Sequence, residues 1–404
     1  MNAGTPLRFF TTLAPAASLM AFFAAKGFAA LGVVAGLTAL ILLTIRRDLL
    51  PALSLPSTKL LGAWILLGWA SALWSIDRTN SLETMQGLSA LLIAAACLLA
   101  LAQRFDATQY SAWHRHFAYS LIIGFTLLVA LLLFDQLSGG KVYAVTIGLL
   151  KRRNDWIPNL NIRAGVFVTL SMWPALLAAY WLHRRPILPL ALLLLGAIAA
   201  YISPQVTAKL AFCAGLGTAI LIRLGGRITL GAIMLVIGLS MLLLPVLLGL
   251  FFNAETLLKI YPNLHYSAVH RLHVWDFVAE RFLERPWLGW GIDAARALPG
   301  AGAMLPSGGE QVPSHPHNGV LQFWLELGIP GGLLLLAGHG TIWHALSSDK
   351  LRNTMRAAGT GCYVTALIYF LASFNSWHSW WIGFLGVSFS LLLAALRSFG
   401  NTRS

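Results

Sequence analysis

The residue best suited to proton transfer is His317, which stands at the start of an apolar run in the stretch Ser314-His315-Pro316-His317-Asn318-Gly319. The positive field at a helix N-terminus favours the neutral form of a histidine, and neutral imidazole accepts a proton. His317 is therefore a candidate general base. Spacing alone leaves open a histidine that only caps the helix.

Arginine is the residue type available here to hold an anion. Arg152, Arg153 and Arg163 lie in the basic segment 138–163, and Arg271 lies in a later hydrophilic stretch. Guanidinium is permanently charged and can bind two phosphate oxygens at once. With only 14 acidic residues in the chain, we expect no metal and no cofactor. Alternatively, the first three face solvent or lipid headgroups, and Arg271 makes a surface ion pair.

Glu326 is the one carboxylate deep inside a clear apolar run. Acids in such runs are costly, so they are usually paired or functional. His317 and Glu326 would lie about 13.5 Å apart along one helix, too far to touch. We therefore expect Glu326 to support its own helix or a neighbouring one.

The composition is that of a membrane protein. Of 404 residues, 58% are hydrophobic and 10% charged, whereas soluble domains carry about 25% charged residues. A soluble enzyme, a disordered chain and a disulfide scaffold are excluded. The net charge of +14 does not imply nucleic acid, because basic residues mostly flank apolar runs and would meet membrane lipids.

The apolar runs predict an all-α protein with twelve membrane spans, since lipid offers no partner to an open strand edge. The runs lie near 9–25, 27–45, 58–75, 84–102, 117–137, 164–182, 187–204, 207–223, 228–251, 318–345, 357–375 and 380–397. One set of alternate loops holds most of the basic residues, which puts both termini in the cytoplasm.

Two hydrophilic segments then fall on the opposite side. The chain divides into nine spans in 1–251, which include the basic loop 138–163, a long loop 252–317, and three spans in 318–404. A structureless loop as long as 252–317 is uncommon. Apolar residues at helical spacing predict a helix over 264–285 within it.

The stretch from His317 onwards resembles the O-antigen ligase/polymerase superfamily. The matching residues are His317, Asn318, Leu321, Glu326, Gly328 and Gly331. Two further stretches are similar to elements of that family: Arg271 to Trp275 with the turn Arg285-Pro-Trp-Leu-Gly-Trp-Gly291, and Asn161 to Gly165.

The resemblance implies a fold of about twelve transmembrane helices with one large periplasmic loop, like that of C-type glycosyltransferases. It implies transfer of O-antigen from undecaprenyl pyrophosphate to lipid A-core, on the periplasmic side of the bacterial inner membrane, without a metal and with inversion. His317 would be the base. Arg163 and Arg271 would bind the pyrophosphate with help from Arg152 and Arg153, and Asn318 and Glu326 would support the site.

Other activities stay open. Within the superfamily these are O-antigen polymerase and protein O-oligosaccharyltransferase; the ligase is favoured because one late loop dominates. From a different class, a transporter or lipid flippase has similar length and charge, although the sequence shows no inverted repeat. A scaffold for envelope assembly is a third option.

Overall fold

The structure is a computed structural model that describes residues 5–104, 112–149, 162–183, 185–305, 309–312 and 314–400. Fifteen α-helices lie within these ranges: α1 Thr5–Phe23, α2 Phe28–Ile45, α3 Leu49–Leu53, α4 Pro56–Ser71, α5 Arg78–Arg104, α6 Ala112–Leu137, α7 Lys141–Leu149, α8 Ile162–His183, α9 Ile187–Ile202, α10 Val206–Phe251, α11 Ala254–Ile260, α12 Tyr266–Glu284, α13 Gly319–Leu346, α14 Asn353–Ala372 and α15 Ser379–Gly400. The described part contains no β-strand, only an isolated bridge between Met304 and Glu310.

Eight helices in the described ranges are long and apolar enough to cross a membrane: α1, α2 extended back to Ala25, α5, α6, α8, α10, α13 and α15. The helix α9 is apolar but shorter. The all-α, multi-span class is thus confirmed. The count of twelve spans and the periplasmic placement of the long loop stay predictions.

The predicted spans 207–223 and 228–251 join into one element of 46 residues, α10, with a sharp break at Gly226. Gly226 has φ 61° and ψ −137°, a conformation that glycine adopts without the Cβ penalty. Gly226 therefore divides α10 into two distinct helical segments. Along its length α10 packs against α14, and it also contacts α12 and α13.

Three of the four ion pairs in the described residues involve segments that the sequence predicts to be cytoplasmic, and the fourth, Arg281 with Glu284, lies in the long loop. Asp48 accepts from Arg46 and from Arg104, each at 3.1 Å, and Arg227 pairs with Asp349. These residues belong to loops that the charge distribution predicts to be cytoplasmic. The structure therefore brings together the two predicted cytoplasmic loops around Asp48.

The α4–α5 connection meets the long loop. The indole nitrogen of Trp74 donates to the Leu288 carbonyl at 2.9 Å, and the Ile76 amide donates to the Trp290 carbonyl at 3.2 Å. The long loop contains the helix expected over 264–285, which runs from Tyr266 to Glu284. Its buried face includes Val274 and Val278, which pack with Trp290 in a small apolar cluster.

Candidate active site

The helix α13 is interrupted nine residues after its start, at Gly328, which has φ 61° and ψ −153°. A turn of the long loop, residues 286–291, crosses the helix at this break. The Gly291 amide donates to the Glu326 carbonyl at 2.8 Å, and the Ile329 amide donates to the Pro286 carbonyl at 2.9 Å. The predicted Gly-rich turn and the predicted helix start are thus tied by backbone hydrogen bonds.

Glu326 lies directly before this break and is completely buried. Its Oε2 accepts from the Asp293 amide at 2.5 Å and from the Trp377 indole, and its Oε1 accepts from the Gln322 amide group at 3.2 Å. A buried carboxylate needs such donors, since desolvation without them is expensive. Glu326 therefore joins three segments, which agrees with the structural role that we expected for it.

The loop between α14 and α15, residues 373–378, is held by the same network. Asn375 accepts from Gln322 at 2.8 Å through its Oδ1 and donates to Asp293 Oδ1 at 3.3 Å. Gln322 in turn accepts from the Ser376 amide at 3.0 Å. Asn375 and Ser376 are almost completely buried. The loop 373–378 is consequently fixed relative to α13.

His317 lies next to this loop with a left-handed backbone, φ 55°. Its Nδ1 faces the Ser373 carbonyl at 3.4 Å, a long hydrogen bond. Because a carbonyl only accepts, this contact assigns the hydrogen to Nδ1 and leaves a lone pair on Nε2. Asn318 caps α13 by accepting from the Leu321 amide at 3.1 Å. His317 is therefore outside the helix, with Asn318 as its cap.

The imidazole of His317 is in the neutral form that can accept a proton. Burial, with a further contribution from the charge of Arg271, lowers the pKa of His317 to about 4. The imidazole is thus neutral around pH 7. Its side chain is only half-buried, so it can still be reached from outside.

His315 differs from His317 in having both ring nitrogens occupied. Its Nε2 faces the same Ser373 carbonyl at 3.4 Å, and its Nδ1 lies 2.8 Å from the Ser314 hydroxyl. Burial, and then the neighbouring His317, lower the pKa of His315 to about 3. At 5% exposure, His315 is a poorer candidate than His317 for meeting a substrate.

The two histidines belong to a continuous row of rings. Its members, in spatial order, are Tyr266, His270, His317, His315, His378 and Trp380. Successive ring centroids are 6.3, 6.4, 4.2, 5.8 and 6.5 Å apart. We call this set the ring row. His317 stands in its middle.

Arg271 follows His270 of the ring row on α12, and its charge acts on both His317 and His315. It donates to the Ser267 hydroxyl at 2.7 Å, and its buried Nε has no hydrogen-bond partner. Burial lowers the pKa of Arg271. Within the described ranges it makes no ion pair, so the alternative of a surface ion pair receives no support there.

Arg163 lies at the far end of the ring row. Its guanidinium sits over Trp380, 5.0 Å from the ring centroid, and its Nε is buried without a hydrogen-bond partner. Burial lowers the pKa of His378, the charge of Asp293 raises it, and the charges of Arg163 and Lys26 lower it again. Arg163 and Arg271 thus flank the histidines from two sides.

Of the predicted site residues, Asn318 adjoins His317 as the cap of α13, and Arg271 adjoins His270, whose ring contacts that of His317. Arg163 lies at the far end of the ring row, and Glu326 is buried. Arg152 and Arg153 lie outside the described residues. Among those described, no three His, Cys, Asp or Glu side chains are arranged to hold a metal ion.

Sequence reasoning missed the contribution of the loop 373–378. In the structure Trp377 of this loop donates to Glu326, and Trp380, at the start of α15, lies under the guanidinium of Arg163. A signal was present: Asn375, Ser376 and His378 are polar residues between two apolar runs, on the side predicted for His317.

Below the site lies an apolar cavity of about 330 Å³ between α4, α5, α13, α14 and α15. Ser376 lines it next to the buried network, and Ser57 lines it at the other end of the bundle. Phe323 and Phe370 belong to its wall. The cavity can take an apolar chain that begins at the site.

Residues 190–336 match the sequence model of a family described as O-antigen ligase. A candidate polysaccharide ligase of Rickettsia conorii is 27% identical over 348 residues, which cover 84% of this chain and 79% of that protein. A second, from Rickettsia prowazekii, is 39% identical over 120 residues, which span 29% of each chain. A third, from Rickettsia bellii, is 33% identical over 147 residues, 35% of each.

Proposed function

Because the chain belongs to the O-antigen ligase superfamily, we propose that it transfers O-antigen from undecaprenyl pyrophosphate to lipid A-core, at the periplasmic face of the inner membrane. One observation carries the proposal. His317 keeps a lone pair on a reachable Nε2 while Arg271 lies beside it. This pairs a base with an anion-binding group.

The donor brings its own leaving group, a diphosphate. The departing oxygen needs charge stabilisation more than a proton. Arg271 and Arg163, whose buried Nε atoms have no hydrogen-bond partner among the described residues, would bind its phosphate oxygens. Arg152 and Arg153 would attract phosphate groups of the donor or the acceptor.

The acceptor hydroxyl must lose a proton as it attacks. Its oxygen forms a bond to the anomeric carbon while the bond from that carbon to the diphosphate oxygen breaks. The proton passes to Nε2 of His317, which is neutral at pH 7. A single displacement inverts the anomeric configuration. Asn318 and Glu326 would hold the helix start and the crossing turn in place.

The polyprenyl tail would lie in the apolar cavity beneath the site. This cavity reaches Ser376, which is part of the network around Asn375. The lining of this cavity is mainly apolar, which suits a polyprenyl chain, and Ser376 lies at its edge towards the site.

The test is transfer by purified protein from lipid-linked donor to lipid A-core. His317→Ala should lower the rate by about 10²–10⁴, whereas His344→Ala, at an exposed position of the same helix, should leave it unchanged. Activity should persist in excess chelator. Wild-type rates in His317→Ala, or loss of activity in chelator, would contradict the mechanism.

The same assay separates the alternatives. Elongation of the lipid-linked glycan, with no product on lipid A-core, would identify a polymerase. Movement of labelled lipid across a vesicle membrane without a new glycosidic bond would identify a transporter.

A further inference from the structure

The ring row continues beyond His317 on the side away from Arg163. There Tyr266 and His270 lie with their ring planes 28° apart and their centroids 6.3 Å apart. Tyr266 is 53% exposed although it belongs to the long loop. The row runs from the buried rings of His315 and Trp380 to the exposed ring of Tyr266, which offers a surface to a ligand.

His270 is fixed at this place. Its Nε2 donates to the Glu310 carbonyl at 3.0 Å, and its ring meets that of His317 at an angle of 74°. The segment around Glu310 closes over the pair, since a Cβ on Gly309 would lie 3.1 Å from the Tyr266 hydroxyl. Tyr266 and His270 are therefore held by the loop backbone.

The chemistry of this surface suits a sugar ring. The face of an aromatic ring carries partial negative charge, and the C–H bonds on one face of a pyranose are weakly positive. The carboxylate of Glu310, which is exposed, and the Tyr266 hydroxyl can bind sugar hydroxyls. The Glu310 carboxylate would repel a phosphate, which the arginines attract.

The position of Tyr266 and His270 in the ring row indicates whether they would bind a sugar of the donor or of the acceptor. Arg163 lies at the opposite end of the row, beyond His378 and Trp380. His317, in the middle, would take the proton of the acceptor hydroxyl. Arg271 lies on the same helix as Tyr266 and His270, so distance from the arginines alone does not assign this ring. A sugar that lies on Tyr266 and His270 adjoins His317, the group that would take the acceptor proton, and on that ground we assign it to the acceptor.

We propose that Tyr266, His270 and Glu310 form a carbohydrate subsite that binds the terminal sugar of the acceptor. The proposal rests on the proposed function for the identity of the acceptor. It adds residues that the sequence motifs do not single out, and it makes Tyr266 a determinant of acceptor affinity with no part in donor binding.

The experiment measures transfer with Tyr266→Ala, Tyr266→Phe and Tyr266→Trp. Tyr266→Ala should raise the KM for lipid A-core about five- to tenfold, as loss of a stacking contact would, and leave the donor KM within about twofold. The aromatic variants should stay within about threefold of wild type. Tyr261→Ala, 57% exposed in the same loop, is the matched control and should match wild type.

A second measurement is independent of catalysis. Binding of lipid A-core in detergent, without donor, should weaken by the same factor in Tyr266→Ala and stay unchanged in Tyr261→Ala. Equal binding by Tyr266→Ala and wild type, or a raised donor KM in place of a raised acceptor KM, would overturn the subsite.

The two proposals can fail separately. If wild-type protein binds lipid A-core through Tyr266 but joins no glycan to it, the subsite stands and the proposed transfer fails. If transfer occurs and Tyr266→Ala binds the acceptor as tightly as wild type, the proposed transfer stands and the subsite fails.

Discussion

Gly289 and Gly328 are in close backbone contact where the turn 286–291 crosses the break in α13. A Cβ on Gly328 would lie 2.7 Å from the amide nitrogen of Gly289, and one on Gly289 would lie 2.7 Å from that of Gly328. Both residues have positive φ, 69° and 61°. Two backbones can approach this closely only where neither residue has a side chain.

We therefore expect Gly328→Ala to destabilise the protein. The left-handed backbone alone costs about 1–2 kcal/mol, and the clash with Trp287 and Gly289 adds to this. Gly338→Ala is the control, because no atom lies within 4 Å of a Cβ there. Thermal unfolding in detergent should show a lower midpoint for Gly328→Ala alone. Equal midpoints would mean that the crossing is not tight.

The pH dependence of transfer tests the base and its electrostatic neighbour together. The value of kcat/KM should fall only as pH drops through about 4, the pKa of His317, since protonation removes the base. The positive charge of Arg271 contributes to that low pKa. Arg271→Ala should therefore raise the pKa of His317 and move the acid limb of the pH–rate profile, where kcat/KM falls, to higher pH.

Arg163→Ala is the comparison, because Arg163 is not among the charges that act on His317. Its rate should fall through weaker donor binding while the acid limb stays in place. Arg271→Lys keeps the charge and should keep the limb, although donor use recovers only in part. An acid limb that responds equally to Arg163→Ala and Arg271→Ala would contradict this arrangement.

The hydrogen bond from Trp377 to Glu326 should contribute to both stability and turnover. Trp377→Phe keeps the ring and removes the donor, which leaves a buried carboxylate oxygen short of one partner. We expect a loss of about 1–3 kcal/mol and a lower kcat, because the loop 373–378 also carries the Ser373 carbonyl. Trp287→Phe, at a position 74% exposed, should change neither. Unchanged unfolding of Trp377→Phe would contradict the role of Glu326.

Acid should destabilise the fold through His315. Its folded-state pKa, about 3, lies below the unfolded value of about 6.5, so the unfolded chain binds the extra proton between them. Stability is then complete above pH 6.5 and declines by up to about 1.4 kcal/mol per pH unit as pH falls towards 3. His315→Gln should flatten this decline and exposed His344→Gln should not, as measured by unfolding at pH 7, 5 and 4. An identical slope in both variants would refute the assignment.

Sequence patterns predicted the all-α membrane class and the helix within the long loop, and they indicated His317 as a candidate base. The charge and hydropathy of the chain give the all-α membrane class, and the position of His317 before an apolar run gives a base at a helix start. Arg271 was found because its stretch is similar to a family element. For His317 and Arg271 the information lies in a short stretch of sequence, whereas the membrane class follows from the composition of the whole chain.

The rest depends on contacts between distant segments. Nothing near Trp377 in sequence indicates that its indole meets Glu326, 51 residues earlier. The connection predicted between the spans 207–223 and 228–251 consists in the structure of a sharp break at Gly226, and the sequence does not indicate that this connection is so short. The ring row could not be predicted at all, since it draws on α12, the start of α13 and the loop 373–378.

The Ser373 carbonyl faces both His315 and His317 from outside residues 190–336, the region matched by the family model. That region includes His317 and Arg271 but not Ser373, Trp377 or Arg163. A chimera that exchanges 190–336 between two relatives would inherit the imidazole without the groups that orient it. Functional grafts should therefore require the interhelical segment 373–380 and the start of α8 to be transplanted from the same parent.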